Sequence, residues 1–322
     1  MQRSFDNSGH AGGVHFADDA TFVANSARSL SALISLVELF VNDAQFNGVV
    51  AAIEIINEPL VNEQAPSGHR THAIPLAKLE DWMSAAYKMV HAAVLPSAPR
   101  RPVVLLPDAF MPAGTFDGFF ARAGFEPGTF ALDMHIYQAF NGFEVFSDDS
   151  HIGVACSAGV NLRAAAGSGR LRRPVLVGEF SIGTSTRCVP YTQCGGRTIA
   201  DDVRTLTDFD PRLHAVVSPG PSPASGSGSA SASSTNMTVT MELSAAATFQ
   251  RRFFEAQTAV FEANSAGYIY WNWATQAAAA WSLRDIFALG WAPARLDDPA
   301  MRMFTFEEGE RPCISAQPRR EA

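Results

Sequence analysis

Five short apolar runs, alternating with stretches of helical spacing, constrain this chain more than any other feature. They are Val49–Ile56 (VVAAIEII), Val103–Leu106, Ala131–Tyr137, Val175–Phe180 and Tyr268–Trp273 (YIYWNW). A short continuous apolar run is the pattern of a strand covered on both faces, as in a parallel sheet flanked by helices. Residues 20–42 place Leu30, Leu33, Ile34, Val37 and Val41 on one helical face. Residues 76–94 repeat that spacing through Leu79, Trp82, Met83, Ala86, Met89, Val90 and Ala93. Helices are also expected around 150–166 and over 243–263, the latter with Phe249, Phe253, Gln257 and Val260 as one stripe. Strands alternating with helices read as a parallel α/β fold. The Ser/Gly/Pro-rich segment 218–235 reads as a low-complexity loop inserted into one domain, 1–322, because the alternation continues on both sides of it.

Composition narrows the partners. The 322 residues are 47% hydrophobic and 17% charged, with a formal net charge of −8 and no Lys/Arg-rich run. Such a surface repels phosphate backbones, so nucleic acid is not an expected partner, whereas a neutral sugar polymer suits it. No stretch approaches the ~20 apolar residues that span a bilayer, so no transmembrane segment is expected. Met1 to Gly13 is polar, without the apolar core of a signal peptide. Cys156, Cys188, Cys194 and Cys313 lack the clustered spacing of metal ligands, which leaves two disulfides or four free thiols. No metal or cofactor is expected.

Two carboxylates stand just after buried strands. Glu58 ends IEIINEPL and Glu179 lies in VLVGEFS. Parallel strands of a barrel deliver catalytic groups from their C-terminal ends, so two such acids can meet above one mouth. Glycoside hydrolysis needs such a pair: one acid protonates the leaving oxygen and the other attacks or activates water. Either Glu alone reads equally well as a structural, salt-bridged residue.

Their surroundings tip the balance. FDNSG (5–9), IEIINEPL (53–60), PDAF (107–110), DMHIYQAF (133–140), HIGVAC (151–156), VGEFS (177–181) and YIYWNW (268–273) occur in order along the chain. In these stretches the chain resembles glycoside hydrolase family 5, and within it the fungal exo-1,3-β-glucanase branch. The resemblance implies a (β/α)8 barrel with Glu58 as acid/base and Glu179 as nucleophile. It also implies that Asn57 bonds the sugar 2-hydroxyl, that Tyr137 orients the nucleophile and that His135 lines the same subsite. Trp271 becomes the platform under the sugar, and Phe5 and Phe140 either stack on the next one or serve equally well as buried packing. Trp273 shares the face of Trp271 by strand alternation and is assigned to core packing. The family's cysteines imply a Cys156–Cys313 disulfide, and proximity and elimination leave Cys188–Cys194.

The chain departs from the branch in three places. Ala274, Thr275 and Gln276 stand where it carries Lys-Thr-Glu, and Phe180 stands where it carries Trp. The family's NEP motif closes the fourth strand, which ~90 residues should precede at ~30 per βα unit. Here the corresponding run already begins at Val49. The expectation is therefore an N-terminally truncated barrel holding strands four to eight, inactive by itself. The implied function is release of glucose from the ends of a β-1,3-glucan polysaccharide or oligosaccharide, by an extracellular or wall-bound full-length product. The competing readings are a non-catalytic remnant that binds glucan through its aromatic residues, and another family 5 specificity such as a β-1,4- or β-1,6-glucanase or a steryl-glucosidase. The FDNSG and HIGVAC stretches speak against the last group.

Overall fold

The computed structural model describes residues 19–46, 48–61, 74–98, 100–140, 142–169, 172–184, 245–275 and 278–304. Phe5, the FDNSG stretch, Cys188, Cys194, the 218–235 segment, Gln276 and Cys313 lie outside them. In chain order the main elements are α1 (Asp19–Leu36), β1 (Ala52–Glu54), α2 (Leu76–Ala93), β2 (Val103–Pro107), α3 (Asp117–Ala123) and β3 (Phe130–Ile136). They continue with α4 (Asp148–Ala166), β4 (Val175–Phe180), α5 (Ala245–Asn264), β5 (Tyr268–Tyr270) and α6 (Leu283–Ala288). The five strands form one sheet in the order β1-β2-β3-β4-β5, and the registers of the first four are parallel. A sequential parallel sheet with intervening helices is the topology of consecutive units of a (β/α)8 barrel, so the part-barrel expectation holds.

Compactness divides the chain into two units. The first comprises Met1–Ile136, Ser157–Phe180 and Val260–Ile269 and carries the sheet. Here α1 packs on α2, and α2 on β2. The helical spacing explains this: Leu33, Val37 and Val41 bury one stripe, and Leu79, Trp82, Met83, Ala86 and Val90 bury another. The first strand is shorter than its apolar run. Val49 is 76% exposed, and the strand register covers Ala52, Ile53 and Glu54, opposite Val103, Val104 and Leu105, with Ala51 and Ile55 adding one backbone bond each. Apolar sequence marked the run, but pairing on one side only set its length. Helix α3 escaped sequence reading because it has seven residues and ends on Gly124 in the left-handed conformation (φ 71°). Its Phe119 and Phe120 join Phe116, Phe125 and Phe130 in an aromatic cluster. Arg173 caps that cluster, 4.7 Å from the Phe120 ring centroid, while donating to Asp117 at 2.8 Å.

The second unit comprises Tyr137–Cys156, Ser181–Ala259 and Tyr270–Ala322. Its α5 residues are buried almost all round, Phe253, Phe254 and Ala256 completely. In that apolar setting Arg251 and Glu255 form a salt bridge one helical turn apart. The guanidinium also donates to the carbonyls of Gly290 (3.0 Å), Ala292 (2.9 Å) and Met301 (2.7 Å). Glu255 accepts from the N–H groups of Met303 (3.0 Å) and Phe304 (2.9 Å). The pair thus staples an irregular C-terminal stretch to the helix by satisfying its backbone groups. His151 is buried beside it, its Nδ1 2.9 Å from Gln138 Oε1 and its ring against Phe249 and Phe253.

Removing one member of a buried pair leaves the other charge uncompensated, at a cost of about 3–5 kcal/mol. Glu255→Ala should lower unfolding free energy by about that much in urea titrations. A loss below about 1 kcal/mol, the range of an exposed pair, would contradict the staple.

Candidate functional site

Six titratable side chains converge at the C-terminal ends of the first unit's strands. Glu54 is the last residue of β1 and Asp108 follows β2. Asp133 and His135 lie on β3, and Glu179 is the penultimate residue of β4. Glu58 follows β1 with φ 44°, in the left-handed region where non-glycine residues are uncommon. Side chains two apart on a strand share a face, which puts Asp133 and His135 together. The register between β3 and β4 then slips: Met134 pairs with Val177 but His135 pairs with Glu179, so Gly178 is the extra residue. A bulge of this kind re-aims the side chain that follows it, and here it sets Glu179 opposite His135. Gly178 has a second duty. A Cβ there would overlap the carboxylate of Asp133.

The imidazole of His135 is the centre of the group. Its Nδ1 lies 2.9 Å from Glu58 Oε1 and 3.5 Å from Glu179 Oε2. Its Nε2 lies 3.9 Å from Asp133 Oδ2 and 4.0 Å from Glu54 Oε1, ion-pair rather than hydrogen-bond distances. Burial alone would drive the proton off, but the carboxylates of Asp133, Glu58 and Glu179 outweigh it and push His135 up to about 11. The ring is therefore a cation at neutral pH. Two neighbours move the other way from ordinary acids. Burial, reinforced by the charge of Asp133, raises Glu54 to about 8. Burial raises Asp108 to about 7, against the hydrogen bond its Oδ1 accepts from the Phe110 N–H (3.0 Å). Glu54, Asp133 and His135, and likewise Glu58, His135 and Glu179, each bring three potential metal donors within 4.8 Å of one another. An imidazolium has no free lone pair, so the proton on His135 competes with any cation at both sets.

The structure thus brings Glu58, Glu179 and His135 together, with Asn57 exposed on the same loop as Glu58. Tyr137, Phe140 and Trp271 belong to the second unit. There they surround Trp281, which is 2% exposed, with ring centroids at 5.3, 6.0 and 5.7 Å. Trp281 went unnoticed in the sequence because it sits on a single short turn with no period around it. A Cβ on Gly183 would overlap its indole. Trp273 is a correction: it is 66% exposed, not core. The strand ends at Tyr270 and Asn272 N–H bonds to the Trp281 carbonyl instead (2.9 Å), so strand alternation no longer applies at Trp273. Glu54, Asp108 and Asp133 were also missed as site residues. Their one signal was position: Asp108 follows an apolar run as Glu58 does, and Glu54 and Asp133 are charged residues inside such runs, as Glu179 is.

An acid whose folded-state pKa is raised holds its proton more tightly when folded. Its stabilising contribution is complete below the unfolded value and is lost as pH climbs through the folded one. For Glu54 that window runs from 4.5 to about 8. Glu54→Gln should therefore flatten the fall in melting temperature between about pH 5 and pH 8, by roughly 2–4 °C relative to the parent. Glu38→Gln, at an exposed position, is the control. Parallel curves for parent and Glu54→Gln would show that Glu54 does not titrate in this window.

No family model matches the chain. Curated fungal proteins are similar to it. It is 28% identical over 299 residues to an Emericella nidulans protein named "Probable glucan 1,3-beta-glucosidase A", covering 92% of this chain and 61% of that protein. The Aspergillus clavatus protein of that name is 26% identical, with 91% of this chain and 58% of its own length covered. An Aspergillus niger "Probable glucan 1,3-beta-glucosidase D" is 25% identical over 94% of this chain and 33% of its own. The chain spans about three-fifths of the length of the first two relatives. Among solved structures, a rutinosidase from Aspergillus niger aligns with a TM-score of 0.47 at 14% identity, covering 84% of this chain and 57% of that one, a likeness too partial to bear on the fold. The curated relatives bear out the resemblance read from the seven sequence stretches: the chain is a homologue of the fungal proteins named probable glucan 1,3-beta-glucosidase.

Proposed function

We propose that the protein is a retaining glycoside hydrolase of β-1,3-glucan that releases glucose from chain ends. One observation carries the reading: an oxygen of Glu58 and an oxygen of Glu179 lie within 4.8 Å of each other, both facing Nδ1 of His135. Inverting enzymes hold their carboxyls ~6.5–9.5 Å apart to admit a water, whereas retaining ones hold them at ~5–5.5 Å. In the first step Glu179 attacks the anomeric carbon as the glycosidic C–O bond breaks, and Glu58 gives its proton to the departing oxygen. In the second, Glu58 takes a proton from water, the water oxygen bonds the anomeric carbon, and the ester to Glu179 breaks. The linkage comes from the names of the relatives, and the sugar-contact roles of Asn57, Tyr137, Trp271 and Phe140 from the family resemblance.

Such a substrate is extracellular, so secretion or wall attachment of the full-length product is part of the same proposal. Cys156 is disulfide-bonded, which fits an oxidising compartment. Cys313 is its proposed partner, leaving Cys188 with Cys194. No helix among the described residues is long and apolar enough to cross a membrane.

The test is glucose release from laminarin by the purified full-length product, with the anomer of the first product read by NMR. Release as β-glucose is expected. Glu179→Gln should abolish it, and Glu58→Gln should slow it by about 100- to 10,000-fold. α-Glucose as first product would overturn retention. Laminarin binding without Glu179-dependent release would overturn the catalytic reading in favour of a glucan-binding protein.

A further inference from the structure

Asp133 has no place in the two-carboxylate chemistry, yet it occupies a costly position. It is 3% exposed, and its Oδ1 has no hydrogen-bond partner among the described residues. Its backbone pairs in the sheet with Pro107 and Leu176 and its carbonyl accepts the Asp108 N–H (2.9 Å), which any residue could do. A buried carboxylate with an unsatisfied oxygen destabilises the strand that carries it. Room for it is bought with Gly178, the bulge residue directly before Glu179. Glu54 repeats the pattern from β1, with its Oε1 buried and unpartnered among the described residues.

Both carboxylates face the edge of His135 that the proposed reaction does not use. Four acids divide evenly over the ring: Glu58 and Glu179 at Nδ1, Asp133 and Glu54 at Nε2. Among the described residues, Asp108, from the segment after β2, is a further titratable group acting on it. A neutral ring with a bare Nε2 would oppose its lone pair to carboxylate oxygens. A ring flipped end for end would take its shortest contact away from Glu58.

We propose that Asp133, backed by Glu54, is a positioning residue for the reaction: it locks His135 in one orientation and in its doubly protonated form, so that a fixed N–H cation stands between Glu58 and Glu179. This rests on the hydrolase reading above. In a retaining cycle the negative charge alternates, since Glu179 loses it on forming the ester while Glu58 gains it on giving up its proton. A cation held 2.9 Å from one and 3.5 Å from the other can follow that charge without moving. Preorganised charge of this kind acts without reorganisation during the reaction.

The test is Asp133→Asn, nearly isosteric and still compatible with Gly178. Histidine-selective 15N NMR, with His135→Gln to assign the resonance, reads the ring directly and needs no activity. The His135 ring is expected to stay protonated above about pH 9 in the parent and to lose its proton at least one pH unit lower in Asp133→Asn. kcat should fall about 100-fold with KM little changed, as for a misplaced catalytic group. The alkaline limb of kcat/KM should move down with the ring titration. Glu54→Gln should shift both in the same direction but less, because Asp133, Glu58 and Glu179 are the acids that hold the ring's proton most strongly. If Asp133→Asn melts early but leaves the ring titration and the pH profile where they were, Asp133 is structural and the proposal fails. If the parent hydrolyses no glucan, the hydrolase reading falls by itself, and an unshifted ring titration would still be needed to refute the hold of Asp133 on His135.

Discussion

One imidazolium, shared by four carboxylates, is what the first unit's site depends on. Without the charge on His135, Glu54, Glu58, Asp133 and Glu179 would repel one another in a partly buried space. Protons taken up by Glu54 and Asp108 relieve the remainder, which is why burial can raise both without dispersing the cluster. The sheet serves this arrangement. Parallel strands in sequential order bring every C-terminal end to one side, and one slipped register between β3 and β4 sets Glu179 opposite His135.

Much of the fold was legible because burial leaves a periodic trace. Leu79, Trp82, Met83, Ala86 and Val90 announce α2, and three of the five apolar runs, those of β2, β3 and β4, match their strands to within about a residue at each end. Helix α3 was not legible, since two turns with Gly118 inside and Gly124 at the end do not establish a period. The ends of β1 and β5 were not either. A strand stops where its partner stops, and that is decided by residues distant in sequence.

The site divides along the same line. Glu58, Glu179 and His135 could be named from strand-end position and motif, and the structure brings them together. Asp133 sits two residues before His135 in the same motif, but only the space left by Gly178 reveals why it can point inward. Trp273 was misread for a related reason: alternation predicts a face only while the strand lasts, and β5 ends at Tyr270. In the second unit, the Arg251–Glu255 staple satisfies carbonyls and amides from Gly290 to Phe304, none of which carries a regular pattern of its own.

Retention requires Glu179 to form a bond to sugar while His135 holds the pair together. Incubation with 2-deoxy-2-fluoro-β-glucosyl fluoride tests this directly, because fluoride leaves readily and the fluorine at C2 slows breakdown of the ester. Peptide mass spectrometry should find one fluoroglucosyl group per protein, on the peptide containing Glu179 and absent from Glu179→Gln. A label on Glu58, or none under conditions where laminarin is turned over, would contradict the assignment.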